Sequence, residues 1–259
     1  MTIASDLLLA EAPPPALLSR TALFLDFDGT LAPLAPRPQD VEVLDWVVPT
    51  LRCLQAALGG AVVLVSGRPL AELDALLHPL CMPAAGVHGV ERRGCDGRVR
   101  VRSGVPPEDV LQAAQGLVAR YPSLLLELKP AALALHYRAA PALGAVCRDT
   151  LRHALEGLPG WQLLQGHFVT EVKPQRVSKG AVVASFMAEA PFAGRTPVFV
   201  GDDLTDEDGM REALAWGGLG VRVGGGESLA QHCLADPHAV GAWLAASVKA
   251  LGATSAAVL

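Results

Sequence analysis

No stretch of this 259-residue chain approaches the roughly 18 uninterrupted apolar residues that a bilayer-spanning helix needs. Half of the residues are nevertheless hydrophobic, so the apolar content reads as an interior rich in Ala, Leu and Val, with no membrane partner expected. Basic clusters are also scarce: 21 Lys and Arg stand against 26 Asp and Glu, a formal charge of -5. Nucleic-acid backbones are gripped by grouped cations, and the pair Arg92-Arg93 is too short to serve. No nucleic-acid partner is expected. The five cysteines (Cys53, Cys81, Cys95, Cys147, Cys233) lack CxxC or zinc-type spacing, which argues for reduced thiols and a cytoplasmic protein. No basic residue precedes the apolar patch Leu7 to Ala10; Asp6 does, and Pro13-Pro14-Pro15 follows. Residues 1–20 therefore read as a loose or disordered lead instead of a signal peptide. No internal repeat is present.

What the chain does contain is a series of short apolar runs, each ending in a polar cluster. Thr21 to Phe27 runs into Asp28-Gly29, Ala61 to Val65 into Ser66-Gly67-Arg68, and Pro197 to Val200 into Gly201-Asp202-Asp203. Runs of this length without alternation predict strands buried on both faces. Helical spacing over Val41 to Leu58 and Leu70 to His78, with a further short run at Ala84 to His88, gives a strand-helix-strand order and a parallel sheet with right-handed crossovers. The polar clusters then share the carboxyl edge of the sheet, where ligands bind in open α/β folds.

The middle of the chain has a different rhythm. A helix is predicted from Pro106 to Tyr121, a hairpin over Leu124 to Lys129 and Ala132 to Tyr137, a second helix from Pro141 to Leu158, and strands across Trp161 to Val172. The fold class is thus α/β, a Rossmann-like parallel-sheet core (residues 21–104 and 173–250) with an inserted α+β cap domain (105–172). Gly104 and the neighbouring prolines suit a hinge between them.

Asp26 and Asp28 lie two apart where a strand gives way to Gly29-Thr30. Both carboxyls can face the same edge while Phe27 turns inward, and two acids there suit covalent and acid/base work with a hard cation. Taken alone, Asp28-Gly29 is also an ordinary turn. The combination of Asp26-Phe27-Asp28-Gly29-Thr30, Ser66-Gly67-Arg68, Lys179 and Gly201-Asp202-Asp203 resembles the ordered motifs of the haloacid dehalogenase superfamily of phosphatases. Within it, Phe24 to Leu31, Gly86-Val87-His88-Gly89, Lys173-Pro174 ahead of Lys179-Gly180, and Gly201 to Asp208 resemble the trehalose-6-phosphate phosphatases. The likeness spans about Thr21 to Val223.

That resemblance implies a set of roles. Asp26 is the nucleophile that forms an aspartyl phosphate, and Asp28 the acid and then base for the two half-reactions. Mg²⁺ is the implied cofactor, held by Asp26, the Asp28 carbonyl and Asp202, with Asp203 supporting the metal from behind. Ser66 and the Gly67 amide form a phosphate cradle at a strand-to-helix turn, and Lys179 neutralises phosphoryl charge. Arg68 either meets substrate or pairs with Asp203 or Asp206, and Glu207 and Asp208 start a helix. His88 is a substrate contact or a structural histidine; His136 is structural. Glu127, Lys129, Arg138 and Glu171 match positions that grip the sugar, although a cross-strand charge pattern explains them equally well. The expected substrate is a small-molecule sugar phosphate and the expected state a free-standing monomer. Another capped sugar-phosphate phosphatase and a catalytically silent sugar-phosphate-binding module are the competing readings. Gly209-Met210 departs from the small-then-aromatic pair usual after Asp208 in the family.

Overall fold

A computed structural model describes residues 13–35, 37–101, 106–129, 132–166, 168–175 and 177–252, apart from the side chains of Pro38 and Lys129. In chain order the strands and helices are β1 (Thr21–Leu25), α1 (Val47–Ala57), β2 (Val62–Val65), α2 (Leu70–Leu76), β3 (Ala84–Gly86), β4 (Glu91–Arg93) and β5 (Val99–Val101). Then come α3 (Glu108–Arg120), β6 (Leu125–Lys129), β7 (Ala132–His136), α4 (Gly144–Ala154), β8 (Trp161–Gly166) and β9 (Val169–Pro174). The chain continues through α5 (Lys179–Met187), β10 (Thr196–Gly201), α6 (Asp206–Ala215), β11 (Leu219–Val223), β12 (His232–Leu234) and α7 (Pro237–Ala250). Two compact units result, one formed by the residues up to Arg100 and from Ser178 onward, the other by Val101–Val177.

The first unit is built on an eight-stranded sheet in the order β12-β11-β10-β1-β2-β3-β4-β5. Its strands are parallel from β12 to β3, and β4 joins antiparallel. Successive side chains of a strand point to opposite faces, and the apolar runs divide accordingly. Leu23, Leu25, Val62, Leu64, Val198 and Val200 enter a core with residues of α1, α2 and α7. Ala22, Phe24, Val63, Val65 and Phe199 enter a second core with residues of α5 and α6. Both faces are therefore covered, which is why β1 and β2 are apolar without alternation.

Local chemistry adjusts three expectations. The helix foreseen from Val41 begins only at Val47, since Pro49 has no N–H and is tolerated only in a first turn. The strand foreseen through His88 stops at Gly86, because Val87 and His88 adopt φ values of 49° and 54°, outside the β region. The lead foreseen as loose is anchored over its described part: Leu17 is buried in the core and its N–H donates to the Ser247 hydroxyl, while Trp243 donates to the Pro15 carbonyl. Residues 1–12 lie outside the described residues. Gly209 finds its reason in packing, because a Cβ there would collide with the Phe199 ring.

The second unit is a four-stranded antiparallel sheet, β6-β7-β9-β8. One face buries Leu133, Leu135 and Val172 against Val110, Ala114 and Leu117 of α3 and Cys147 and Leu151 of α4. The other face carries Glu127 and Glu171, which flank Ala134 in register from either side. Most of the hinge foreseen at Arg102 to Pro106 falls outside the described residues.

Helices α1 and α7 approach closely over Gly241, where a Cβ would lie 2.6 Å from the Trp46 ring. Gly241→Ala gains about 1 kcal/mol of helix propensity but overpacks this contact. The variant is expected to be less stable by roughly 1–2 kcal/mol net in denaturant unfolding; a stabilised variant would contradict the close approach.

Candidate active site

The carboxyl ends of β1 and β10 meet because the Asp26 N–H donates to the Val200 carbonyl at 2.9 Å. Asp26 is buried. The next residue, Phe27, turns fully into the core, and its carbonyl accepts hydrogen bonds from the amides of Thr30, Leu31 and Ala32. This tight turn swings Asp28 back to the edge and requires Gly29, whose φ is +82°. Gly29 also leaves space for a carboxylate: a Cβ there would fall on Asp202.

Lys179 is the first residue of α5, which is N-capped by Ser178 accepting the Ala181 amide. Its buried ammonium donates to Asp26 Oδ1 at 2.8 Å and to Asp206 Oδ1 at 2.6 Å. The other Asp206 oxygen accepts the backbone amides of Asp202 and Asp203 at 3.1 and 3.0 Å. Gly201 must be glycine beside it, since a Cβ would overlap Asp206. Carboxylate oxygens of Asp26, Asp202 and Asp206 lie within 4.8 Å of one another. Such an all-oxygen set, with Asp26 and Asp206 buried and Asp202 half-buried, suits a hard divalent cation. Because both Asp206 oxygens already accept hydrogen bonds, Asp26 and Asp202 are the better placed to face a cation.

On the β2 side, Ser66 is buried and its hydroxyl oxygen accepts the Arg68 amide at 3.1 Å, which leaves its proton to donate. The left-handed His88 donates its own amide to the Ser66 carbonyl. Its imidazole lies so close to Gly67 that a Cβ there would be 2.9 Å from Nε2. Arg68 grips both oxygens of Asp28, each at 2.7 Å, and reaches Glu72 at 3.2 Å. The pairing read as open in sequence thus includes Asp28. These carboxylates, Asp28 foremost, hold the guanidinium above its ordinary pKa.

Asp203, expected to support a metal from behind, engages the start of α6. Its Oδ1 accepts the Thr205 amide and hydroxyl, both at 2.7 Å, and the Asp206 amide at 3.1 Å, so it caps the start of α6. Glu207 does more than start that helix: it accepts the Ser228 hydroxyl and the Leu229 amide and faces Arg222 at 3.5 Å, pinning the loop after β11. Asp206 was read from sequence only as a helix starter or a partner for Arg68. The one signal in the sequence was the spacing Asp202-Asp203-x-x-Asp206, which sets a third acid about one helical turn beyond the pair.

In the second unit Glu127 is exposed and hydrogen-bonds His136 at 2.8 Å, and Glu171 is partly buried. Arg138, expected to close a strand, lies exposed in the turn after β7 because that strand ends at His136. Lys129 ends β6 opposite Ala132; its side chain lies outside the described residues.

Comparison with known proteins gives a consistent neighbourhood. A family described as trehalose-phosphatase matches residues 24–228. The trehalose-6-phosphate phosphatase of Escherichia coli K12 is 42% identical over 239 residues, covering 92% of this chain and 90% of that protein. A probable trehalose-phosphate phosphatase of Sinorhizobium fredii is 41% identical, covering 80% of this chain and 79% of its own. Among solved structures, the Aspergillus fumigatus trehalose-6-phosphate phosphatase aligns with a TM-score of 0.65 at 26% identity, over 88% of this chain and 92% of that one. The C-terminal domain of the C. albicans enzyme shares the fold at a TM-score of 0.75 and 21% identity, over 90% and 93% of the two chains.

The electrostatics follow from the crowding of acids. Burial, only partly countered by Lys179, pushes the Asp26 carboxyl up to about 7. Burial and the neighbouring Asp206 and Asp203 push Asp202 up to about 6, and burial raises Asp206 well above the usual range. Asp203 moves the other way, to about 2: burial opposes its charge, but Lys179 and the hydrogen bonds from Thr205 and Asp206 outweigh it. Lys179 is itself raised, since the carboxylates of Asp26, Asp206 and Asp203 overcome its burial. An acid raised on folding loses protons in the unfolded chain first, so stability falls as pH rises from its unfolded value toward its folded one. In chelator-treated protein, Asp26 and Asp202 should therefore lower the melting temperature progressively between about pH 4 and pH 7. Added Mg²⁺, which competes with protons for these oxygens, should raise the melting temperature more at pH 7.5 than at pH 5. An equal rise at both pH values would contradict this reading of the acid cluster.

Proposed function

Because the chain belongs to the trehalose-phosphatase family, we propose that it hydrolyses trehalose 6-phosphate to trehalose and phosphate, with Asp26 as nucleophile. The observation that carries the reading is Asp26 itself, a buried carboxylate at the sheet edge with Lys179 on one oxygen and Asp202 opposite. In the first half-reaction an Asp26 oxygen bonds to phosphorus while the bond from phosphorus to the sugar oxygen breaks, and the departing oxygen takes a proton from Asp28. In the second, water attacks phosphorus and gives a proton to Asp28, the aspartyl–phosphorus bond breaks, and Asp26 is restored. Ser66 and the Gly67 amide hold the phosphoryl oxygens between them, and Lys179 offsets the charge that gathers there.

The donor set fits Mg²⁺, with Asp26, Asp202 and the Asp28 backbone carbonyl as its protein ligands. The cation supplies charge neutralisation, letting an anionic carboxylate approach an anionic phosphate. Asp206 holds the Asp202–Asp203 backbone in place for this, and Asp203 stiffens the same loop from the start of α6.

The second unit, residues 105–172 in the sequence reading, is assigned as the cap that selects the sugar. Glu127 and Glu171 on one sheet face, with Lys129 and Arg138, are assigned to the disaccharide hydroxyls, and His88 to the substrate near the phosphate cradle. Carboxylates and cations in such a set discriminate well because a missing hydroxyl leaves them unpaired. Reduced thiols at all five cysteines suit action in the cytoplasm.

Phosphate release from a panel of sugar phosphates tests the reading. Release should require Mg²⁺ and favour trehalose 6-phosphate over glucose 6-phosphate by at least roughly tenfold. Asp26→Asn should lower kcat by about a thousandfold or more with the fold retained. Equal rates on the two sugars would overturn the substrate, and an active Asp26→Asn protein would overturn the nucleophile.

A further inference from the structure

The Arg68 fork on Asp28 raises the question of what holds the fork. Asp28 lies beyond the end of β1, partly exposed, and a carboxylate at such a place can turn about two bonds. Two charge-assisted hydrogen bonds from one planar guanidinium fix the plane of that carboxylate. The guanidinium, however, ends a long side chain with about 2 kcal/mol of rotamer entropy of its own. Its further contacts include the Phe27 ring, 5.9 Å from Cζ, and the Glu72 carboxylate, 3.2 Å from Nη1. Glu72 stands in the first turn of α2. That helix start is tied down in turn, because Glu91 of β4 accepts the Leu70 amide at 2.7 Å.

We propose that Glu72 is a positioning residue for the reaction: by orienting Arg68 it sets where Asp28 stands when the sugar leaves. The proposal rests on the assignment of Asp28 to the departing sugar oxygen. Neither Glu72 nor its contact with Arg68 touches the reacting atoms. The Glu72 side chain is 54% exposed, so its ion pair contributes at most about 1 kcal/mol to stability. A role in positioning is thereby separable from a role in folding.

The test compares wild-type, Glu72→Gln and Glu72→Asp on two substrates, trehalose 6-phosphate and p-nitrophenyl phosphate, with melting temperature as the control. The comparison is made in kcat/KM, which ends at formation of the aspartyl phosphate: a nitrophenolate departs in that half-reaction without needing a proton, whereas a sugar alkoxide needs one, so only the sugar phosphate reports there on Asp28 as the acid. Glu72→Gln is expected to lower kcat/KM for trehalose 6-phosphate about threefold to tenfold, a small part of what a general acid supplies. KM for the sugar phosphate and kcat/KM for nitrophenyl phosphate should stay within about twofold, and melting within roughly 2 °C. Glu72→Asp, shorter but still charged, should fall between. An equal loss on both substrates, or no loss on the sugar phosphate, would overturn the proposal. If wild-type protein fails to turn over trehalose 6-phosphate, the substrate assignment falls instead. The same comparison, made with whichever sugar phosphate of the panel it does hydrolyse, still decides the role of Glu72.

Discussion

The buried ammonium of Lys179 between Asp26 and Asp206 is the interaction on which the rest of the site depends. Removing an ammonium and two carboxylates from water carries a large desolvation cost, and the attraction among them compensates only when every remaining donor and acceptor is satisfied. Here that condition is met by backbone: one Asp206 oxygen takes the lysine and the other takes two consecutive amides. The ion cluster consequently ties the start of α5, the start of α6 and the ends of β1 and β10 to one point. A displacement of any of these elements would leave a buried charge unpaired, which is far more costly than the loss of an apolar contact.

The same crowding lets chemically identical side chains behave differently. Asp202 and Asp203 are adjacent, yet burial and acid neighbours raise one to about 6 while the other is drawn down to about 2. Asp203 gains three hydrogen bonds at the start of a helix; Asp202 is left to share its oxygens with Asp26. One residue is engaged in local structure, and the other is left in the acid cluster with its charge disfavoured. Such separation of neighbouring acids by environment is a general means of producing function from ordinary carboxyl groups.

Much of the parallel-sheet core was legible in the sequence because its signals are local. The runs at Thr21 to Phe27, Ala61 to Val65 and Pro197 to Val200 are apolar without alternation, and each ends in Gly with Asp or Ser. The motifs around Asp26, Ser66 and Asp202 lie where strand-end chemistry places them. Less legible was whatever depends on tertiary partners. Asp206 read as a helix starter because nothing local says that Lys179 will reach it from another helix. Arg68 had several acids within plausible reach, and only folding chose Asp28. The left-handed Val87 and His88 ended a strand early against the β preference of valine, as the backbone there must turn to meet Ser66 and Arg68. Nothing local gives the reason for Gly209 either: the Phe199 ring occupies the space where a side chain would stand.

The order of the sheet has a further consequence for the life of the molecule before it is complete. Strand β1, which leads into Asp26, sits between β2 and β10; the first partner follows it closely in the chain, the second arrives only at Thr196. Chains emerge amino end first, and Lys179 and Asp206 emerge late. A partly synthesised chain thus presents Asp26 without the Lys179 ammonium, without Asp202 and Asp206, and without the Val200 carbonyl that accepts its amide. The cluster is assembled only when the last helices close over the sheet, so in the growing polypeptide Asp26 is an ordinary solvated carboxylate.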